Sequence, residues 1–335
     1  MKYRAYRLHF RGALHIGSNR PGFEHTEDII HSDTLFSAII NAWSQMEPDF
    51  VTTLIPPEKD SITDFPFRIS SAFPFYGNQF FFPKPYTKIW QEDSDNSPTT
   101  VKSQKKVRFI EKTVLESVLN GKLLEYYFEG NQTVTAYYSP DSPLDSPPGK
   151  AYDVPRLKID RNNQGQTIFY FTRIVFQPNA GLFFLVDCQD ETLLHTFEAA
   201  LRLLGDMGIG GDRSVGHGLF TPESVADFEL KTPDNPTHRY VLSLTHPAPN
   251  DDVTLLKNSG YDLIERKGWA WSGRGISLRR KAVRMLMEGS VLQKPGFKGD
   301  IIKVLDTKET DWALEHPLYR NGLLFGIPYI HGDKL

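Results

Sequence analysis

A single cysteine, Cys188, stands in the 335 residues, which excludes an internal disulfide and a cysteine-cluster metal site. Long apolar runs are lacking too. The most apolar stretch, residues 168–186, is broken by Arg173, Gln177, Pro178, Asn179 and Gly181 and cannot span a bilayer. Lys2, Arg4, Arg7 and Arg11 are followed by no apolar segment of the kind a secretory leader needs. No short-period repeat is present. With 39% hydrophobic and 13% aromatic residues, the chain is neither disordered, fibrous nor a coiled coil. It reads as soluble and cytoplasmic, one large domain or two ordinary ones, with no membrane among its partners.

The net charge is −3, from 38 basic and 41 acidic residues, which argues against a bulk polycation. The distribution is uneven. Residues 1–23 hold five basic residues and no acidic one, and residues 266–284 hold seven and none. Such segregation predicts a basic groove on an acidic body, unless both runs are solvated faces.

A strand is expected over residues 3–11, where Tyr6, Leu8 and Phe10 alternate with Arg7, His9 and Arg11. A polar loop follows at 18–28. His31-Ser32-Asp33-Thr34 then offers capping residues ahead of Leu35, Phe36, Ile39, Ile40 and Trp43, which recur at helical spacing. Pro48, Pro56 and Pro57 are expected to end that helix. Residues 91–106 are polar and read as a loop, 113–124 as a helix, and 139–150, with four prolines, as a loop or linker. Residues 156–161 and 166–176 flank a turn at 162–165 and read as a hairpin. A buried strand at 181–187, an amphipathic helix at 191–205 and a strand near 218–220 complete the first half. Ignoring insertions, the order is β-α-β-β-α-β, that of a ferredoxin-like unit. The expected class is therefore α+β, with a first domain over 1–233, a linker at 232–236 and a more β-rich domain over 237–335. Strands of that second domain are expected at 240–245, 261–271, 282–291 and 300–305.

Residues 205–218 carry six glycines in fourteen positions. Glycine costs chain entropy on folding, so this loop must need positive φ or close approach of backbone. Exposed amides there make an anion cradle, and Arg213 adds a fork that matches phosphate. A tight helix-to-strand turn is the plain alternative. A phosphate-binding Gly-x-x-x-x-Gly-Lys loop is excluded, because Gly211 follows Gly210 where lysine is required. A dinucleotide fingerprint is excluded because the loop follows a helix and precedes a strand. Two-metal palm chemistry is excluded because Arg213 stands where a second carboxylate is needed.

Gly208, Gly210, Arg213, Ser214, Gly216 and Gly218 resemble the signature loop of the RAMP superfamily of CRISPR proteins, Gly-x-Gly-x-x-Arg/Lys-Ser-x-Gly-x-Gly. His15-Ile-Gly17, residues 31–38, Phe82-Pro-Lys-Pro85, Ile159-Asp-Arg161, residues 265–272 and Glu288-Gly-Ser-Val291 narrow it. Together they look like the type III-A (Csm) subunit that holds the 5′ handle of crRNA; residues 91–106 and 139–150 lie outside the resemblance. It implies two ferredoxin-like (RRM-like) lobes. It also implies a binding cap rather than a nuclease, set between a large polymerase-like subunit and a backbone RAMP subunit. Target RNA would be met only indirectly, and no cofactor, metal or catalytic residue is implied. The backbone subunit's cleaving aspartate has no clear counterpart among Glu24, Glu27 and Asp28.

The candidate RNA-binding residues are His15, His31, Ser32, Lys84, Arg161, Gly208, Gly210, Gly211, Arg213, Ser214, Gly216, Arg279, Arg280 and Lys281. His31 and Ser32 sit where helix amides attract an anion, although simple capping accounts for the same residues. His15 and His31 would also suit an acid–base pair in metal-independent RNA cleavage, the alternative function. Lys84 is mounted between two prolines, and Arg161 lies in the hairpin turn. Arg266, Lys267, Arg274 and residues 279–281 combine with Trp269 and Trp271 as cations beside base-stacking surfaces. Alternation puts both tryptophans on one face, and the core is their expected place.

Overall fold

The computed structural model describes residues 1–17, 22, 24–91, 98–125, 136–159, 166–271, 277–310 and 314–331. The first lobe begins β1 (Arg4–Phe10), α1 (Ser32–Met46), α2 (Pro48–Leu54), β2 (Ser61–Ile62), β3 (Phe67–Ile69), β4 (Phe73–Tyr76) and β5 (Gln79–Pro83). It continues with α3 (Pro98–Lys106), β6 (Phe109–Glu111), α4 (Lys112–Leu119), β7 (Tyr137–Tyr138), β8 (Gly149–Ile159) and β9 (Gln166–Phe176). Then come β10 (Ala180–Cys188), α5 (Glu191–Met207) and β11 (Phe220–Val225). The second lobe holds β12 (His238–Val241), β13 (Leu263–Arg266), β14 (Trp269–Trp271), β15 (Ser277–Arg279) and β16 (Val283–Leu286). It ends with β17 (Val291–Gln293), β18 (Gly299–Leu305), β19 (Leu318–Leu323) and β20 (Gly326–Tyr329).

The order β11–β1–β10–β4, antiparallel at each step, is that of a ferredoxin-like sheet, its second strand divided between β3 and β4. Strands β5, β6 and β7 extend it. On one face, Tyr6, Leu8, Leu182 and Phe184 pack beneath Phe36, Ile39, Trp43, Phe197 and Leu201 of α1 and α5. On the other, Phe73, Phe75, Phe183 and Leu185 meet Tyr240, Leu242, Val291 and Phe325 of the second lobe. Because β10 is covered on both faces, residues 182–186 are continuously apolar rather than alternating. The lobes thus share a core, and β2 of the first completes a sheet with β18 and β19 of the second.

Local chemistry sets the boundaries. The Asp190 carboxylate accepts from the amides of Thr192 and Leu193 at 2.9 and 3.1 Å and caps α5, which Gly208 ends at φ +77°. Pro48 opens α2, its ring at the first helical position, instead of merely ending α1. Residues 98–106, expected as loop, are helical, because polarity argues against burial and not against a solvated helix. Gly121, at φ +78°, closes the chain after α4, which is shorter than its apolar spacing suggests. The hairpin begins at Gly149, inside the expected linker, and its turn at 160–165 lies outside the described residues. Gly268 divides the expected strand 261–271 into β13 and β14.

Among the described residues, the N-terminal cations do not form an open basic groove. Lys2, Arg4, Arg7 and Arg11 each lie within 4 Å of a carboxylate, on Asp227, Glu191, Glu223 and Asp206 respectively. Arg7 also lies over the rings of Phe75 and Phe80.

A buried charge network fastens the lobes. Asp33, 2% exposed, accepts from Nε and Nη2 of Arg266 at 3.0 Å each and from Arg320 Nη1. Burial opposes its ionisation, but the two guanidiniums hold its pKa well below the usual carboxylate range. Beside it, His31 Nδ1 and Glu288 Oε1 lie 2.8 Å apart, and Ser71 Oγ donates to the same carboxylate. Ser32 Oγ accepts from the Leu244 amide at 2.9 Å. The segment His31–Thr34 is therefore an inter-lobe fastening. Asp33 is an ion-pair partner rather than a cap, and the His31 and Ser32 side chains, 3% and 0% exposed, offer no surface to RNA.

Burial works against charge at both His31 and Glu288, yet their attraction raises the His31 pKa and lowers that of Glu288. The His31 contribution is complete below its unfolded value, about 6.5, and is lost as pH rises through its raised folded value. The Glu288 contribution is present above about 4.3 and is lost as pH falls through its lowered folded value. The melting-temperature gap between wild type and Glu288→Gln is therefore expected to shrink as pH rises past neutrality. A pH-independent gap in a melting series would show that the pair is not ionised.

Candidate nucleic-acid interface

The glycine loop is built on a base of internal contacts. The Ile209 amide donates to Gly218 O at 3.0 Å, Gly218 to Ala13 O at 2.8 Å and Gly211 to His15 O at 2.9 Å. The first joins the two arms of the loop, and the other two clip them to the chain leaving β1. A Cβ on Gly218 would stand 1.9 Å from Ile209 O, and one on Gly210 only 2.2 Å from His15 O. Both residues also hold positive φ, +72° and +89°. One on Gly208 would stand 2.9 Å from His217 O, and one on Gly211 2.9 Å from His15 Cδ2. The missing side chains of these four residues are thus explained by packing within the protein.

The tip is different. Residues 213–215 form a single 3-10 turn, and Arg213, Ser214 and Val215 are exposed. Asp212, left-handed at φ +59°, turns its carboxylate back onto Arg156 of β8. The amides of Asp212, Arg213 and Ser214 meet no acceptor among the described residues, and Arg213 has no acidic partner there. Among the described residues, nothing lies within 4 Å of a Cβ built on Gly216. Unpaired amides, a free guanidinium and an exposed hydroxyl on one rigid turn are a suitable anion-binding set.

The root of the β8–β9 ribbon stands beside this tip. Arg156 lies 4.3 Å from the Phe171 ring centroid while it pairs with Asp212. His15 Nδ1 bonds the Thr172 carbonyl at 2.7 Å, its ring 4.3 Å from that of Phe171. Strand register puts Arg156, Lys158 and Arg173 on the same ribbon face as Phe169 and Phe171. Arg173 has no acidic partner among the described residues, and its Nε is buried without a hydrogen bond. Sequence reading missed Arg156 and Arg173; their spacing on a half-polar strand was the available signal.

The remaining candidates scatter. His15 is 5% exposed, and no hydrogen bond or ring contact joins it to His31 among the described residues, so the proposed acid–base pair is not assembled. Lys84 Nζ donates to Gln104 O at 3.1 Å, and burial lowers its pKa. Arg161 lies outside the described residues. Arg279, exposed, stands opposite Trp269 across β14–β15. Arg280 is half-buried, and Lys281 pairs with Glu309 at 2.7 Å, so three successive cations occupy three environments. Arg266 belongs to the Asp33 network. Trp269 is 67% exposed, which corrects its expected place in the core: a two-stranded arm has no layer above it to bury the ring. No helix among the described residues is long and apolar enough to cross a membrane.

Residues 7–221 match the family model of the RAMP superfamily, and residues 234–329 match that of the CRISPR Csm4 C-terminal domain. The chain belongs to the RAMP superfamily, in its Csm4 family. The protein is 28% identical over 307 residues to the "CRISPR system Cms protein Csm4" of Thermococcus onnurineus, covering 89% of this chain and 91% of the relative. It is 23% identical over 362 residues to the protein of the same name from Methanocaldococcus jannaschii, covering 96% and 93%. Among solved structures, it resembles a chain of a Csm1-Csm4 cassette bound to pppApA, with TM-score 0.66, 22% identity and full coverage of both chains. It also resembles a chain of a Csm3-Csm4 subcomplex of a type III-A interference complex, with TM-score 0.64, 18% identity and coverage of 98% and 99%. At these identities the structural likenesses establish the Csm4-type fold.

Proposed function

We propose that this protein is the non-catalytic subunit that caps and holds the 5′ handle of crRNA in a type III-A interference complex. Its lobes, 1–233 and 237–335, bridge a large polymerase-like subunit and a backbone RAMP subunit, and target RNA is reached only through the assembly. The observation that carries this reading is the tip at 212–216. There a guanidinium and amides without partners among the described residues stand on a base locked by internal bonds. Such a base holds the donors in place without further ordering when a phosphate arrives. Arg173 and Lys158 on the adjoining ribbon face extend the cationic surface. Relatives crystallised as Csm1-Csm4 and Csm3-Csm4 pairs support the two neighbours. Lys84, Arg161 and Arg279 complete the proposed RNA contacts.

His15 and His31, both buried and bonded to different partners, give the endoribonuclease alternative no assembled acid–base pair. Incubation of the pure protein with repeat RNA in chelator is expected to leave the RNA full length. Cleavage at one site, abolished by His15→Ala, would replace the cap with a processing enzyme.

A further inference from the structure

A groove of about 430 Å³ runs between α1, α2 and β19. Its walls are mostly apolar, with Phe36 and Ile40 from α1, Val51 and Ile55 from α2 and its end, and Pro317 and Leu318 opposite, among polar Ser37, Asn41, Ser44 and Thr52. Arg280 is part of the same lining. Its guanidinium is placed from the backbone: the Arg280 amide donates to Gly268 O at 3.0 Å, and a Cβ on Gly268 would meet Nη2 at 2.9 Å.

Charge at this site is unbalanced. Arg266 and Arg320 already share Asp33, and Arg280 is a third guanidinium within electrostatic reach of that one carboxylate. The neighbouring buried carboxylate, Glu288, is taken by His31 and Ser71. Donors are left over as well. Among the described residues, Arg280 Nε in the lining has no hydrogen-bond partner, nor do Nε and Nη2 of Arg320, which is 5% exposed and outside the lining. Unpaired charged donors beside an apolar trough are costly in the free protein and match a ligand that brings an anion and apolar surface together.

We infer that the groove docks a segment of a protein partner, which lays apolar side chains along α1 and α2 and sets an Asp or Glu carboxylate against Arg280. An RNA strand is a poorer match, because Arg280 and His316 are the groove's basic side chains among the described residues, too few to track a run of phosphates. This goes beyond handle binding and separates Arg280 from Arg279.

The test uses the assembled effector complex carrying a benzophenone amino acid at Asn41, on the groove wall. The expected product is a single cross-linked protein segment, rich in apolar residues and containing an Asp or Glu. Changing that acid to its amide, on the partner, is expected to weaken association about ten-fold or more. Arg280→Gln is expected to do the same, with little further loss when both changes are combined, while handle-RNA affinity of the isolated protein stays at the wild-type value. A cross-link to RNA, no cross-link, or additive losses in the double variant would overturn the assignment. So would reduced RNA affinity in a folded Arg280→Gln protein. The partner-side amide leaves this chain untouched, so misfolding of Arg280→Gln cannot imitate the result.

Discussion

Asp33→Ala is expected to lose roughly 3–5 kcal/mol of folding stability, the usual consequence of removing one member of a buried ion pair. The reason is local. Asp33 is the shared acceptor of Arg266 and Arg320, both nearly buried. Arg280 adds a third positive charge nearby. Without Asp33, two buried guanidiniums lose their shared carboxylate while Glu288 is already taken by His31 and Ser71, and like-charge repulsion adds to the desolvation cost. Because Arg266 and Arg320 belong to the second lobe and Asp33 to α1, the loss is expected to loosen the inter-lobe contact first. Hydrogen exchange should report this as reduced protection near β13 and β19. Denaturant unfolding of Asp33→Ala measures the total. A loss below about 1 kcal/mol, typical of a surface pair, would mean that the network does not hold the lobes.

Most of the ferredoxin-like order was legible because its signals are local, but its second strand, β3 and β4, was not among the expected elements, and the expected hairpin forms a separate two-stranded ribbon. An apolar run at 182–186, two amphipathic helices and a glycine loop each declare themselves within a short stretch of chain. The Asp33 network could not be read that way. Its members are 233 and 287 positions apart, and only the fold joins them. The motif His31–Thr34 therefore looked like a helix cap with a phosphate site when it is a contact between lobes. The basic run at 266–284 failed for a related reason. Short twisted strands and Gly268 send neighbouring cations into a buried pair, an open arm and a groove, so charge summed along the chain says little about charge in space. Within the glycine loop, close approach and positive φ were correctly read as needs. That Gly210 and Gly211 serve them toward His15 is a tertiary fact. Only the tip at 213–216 remains open for a ligand.

That division within one loop makes the central claim measurable. Arg213→Ala removes an exposed side chain with no acidic partner among the described residues, so its melting temperature should equal that of wild type. Its loss should appear in binding: a charge-assisted contact of roughly 1.5–3 kcal/mol corresponds to about ten- to a hundred-fold in affinity. Gly210→Val serves as the opposite control. Its Cβ would press on His15 O at 2.2 Å and its φ is +89°, so it should melt earlier whatever it binds. The decisive measurement is the dissociation constant of the isolated protein for single-stranded handle RNA, taken across a salt series for wild type and Arg213→Ala. The account predicts weaker binding by the variant and a log–log salt slope shallower by about 0.7, the release expected for one phosphate contact on a single strand. Equal affinity and equal slope in a folded Arg213→Ala protein would contradict it.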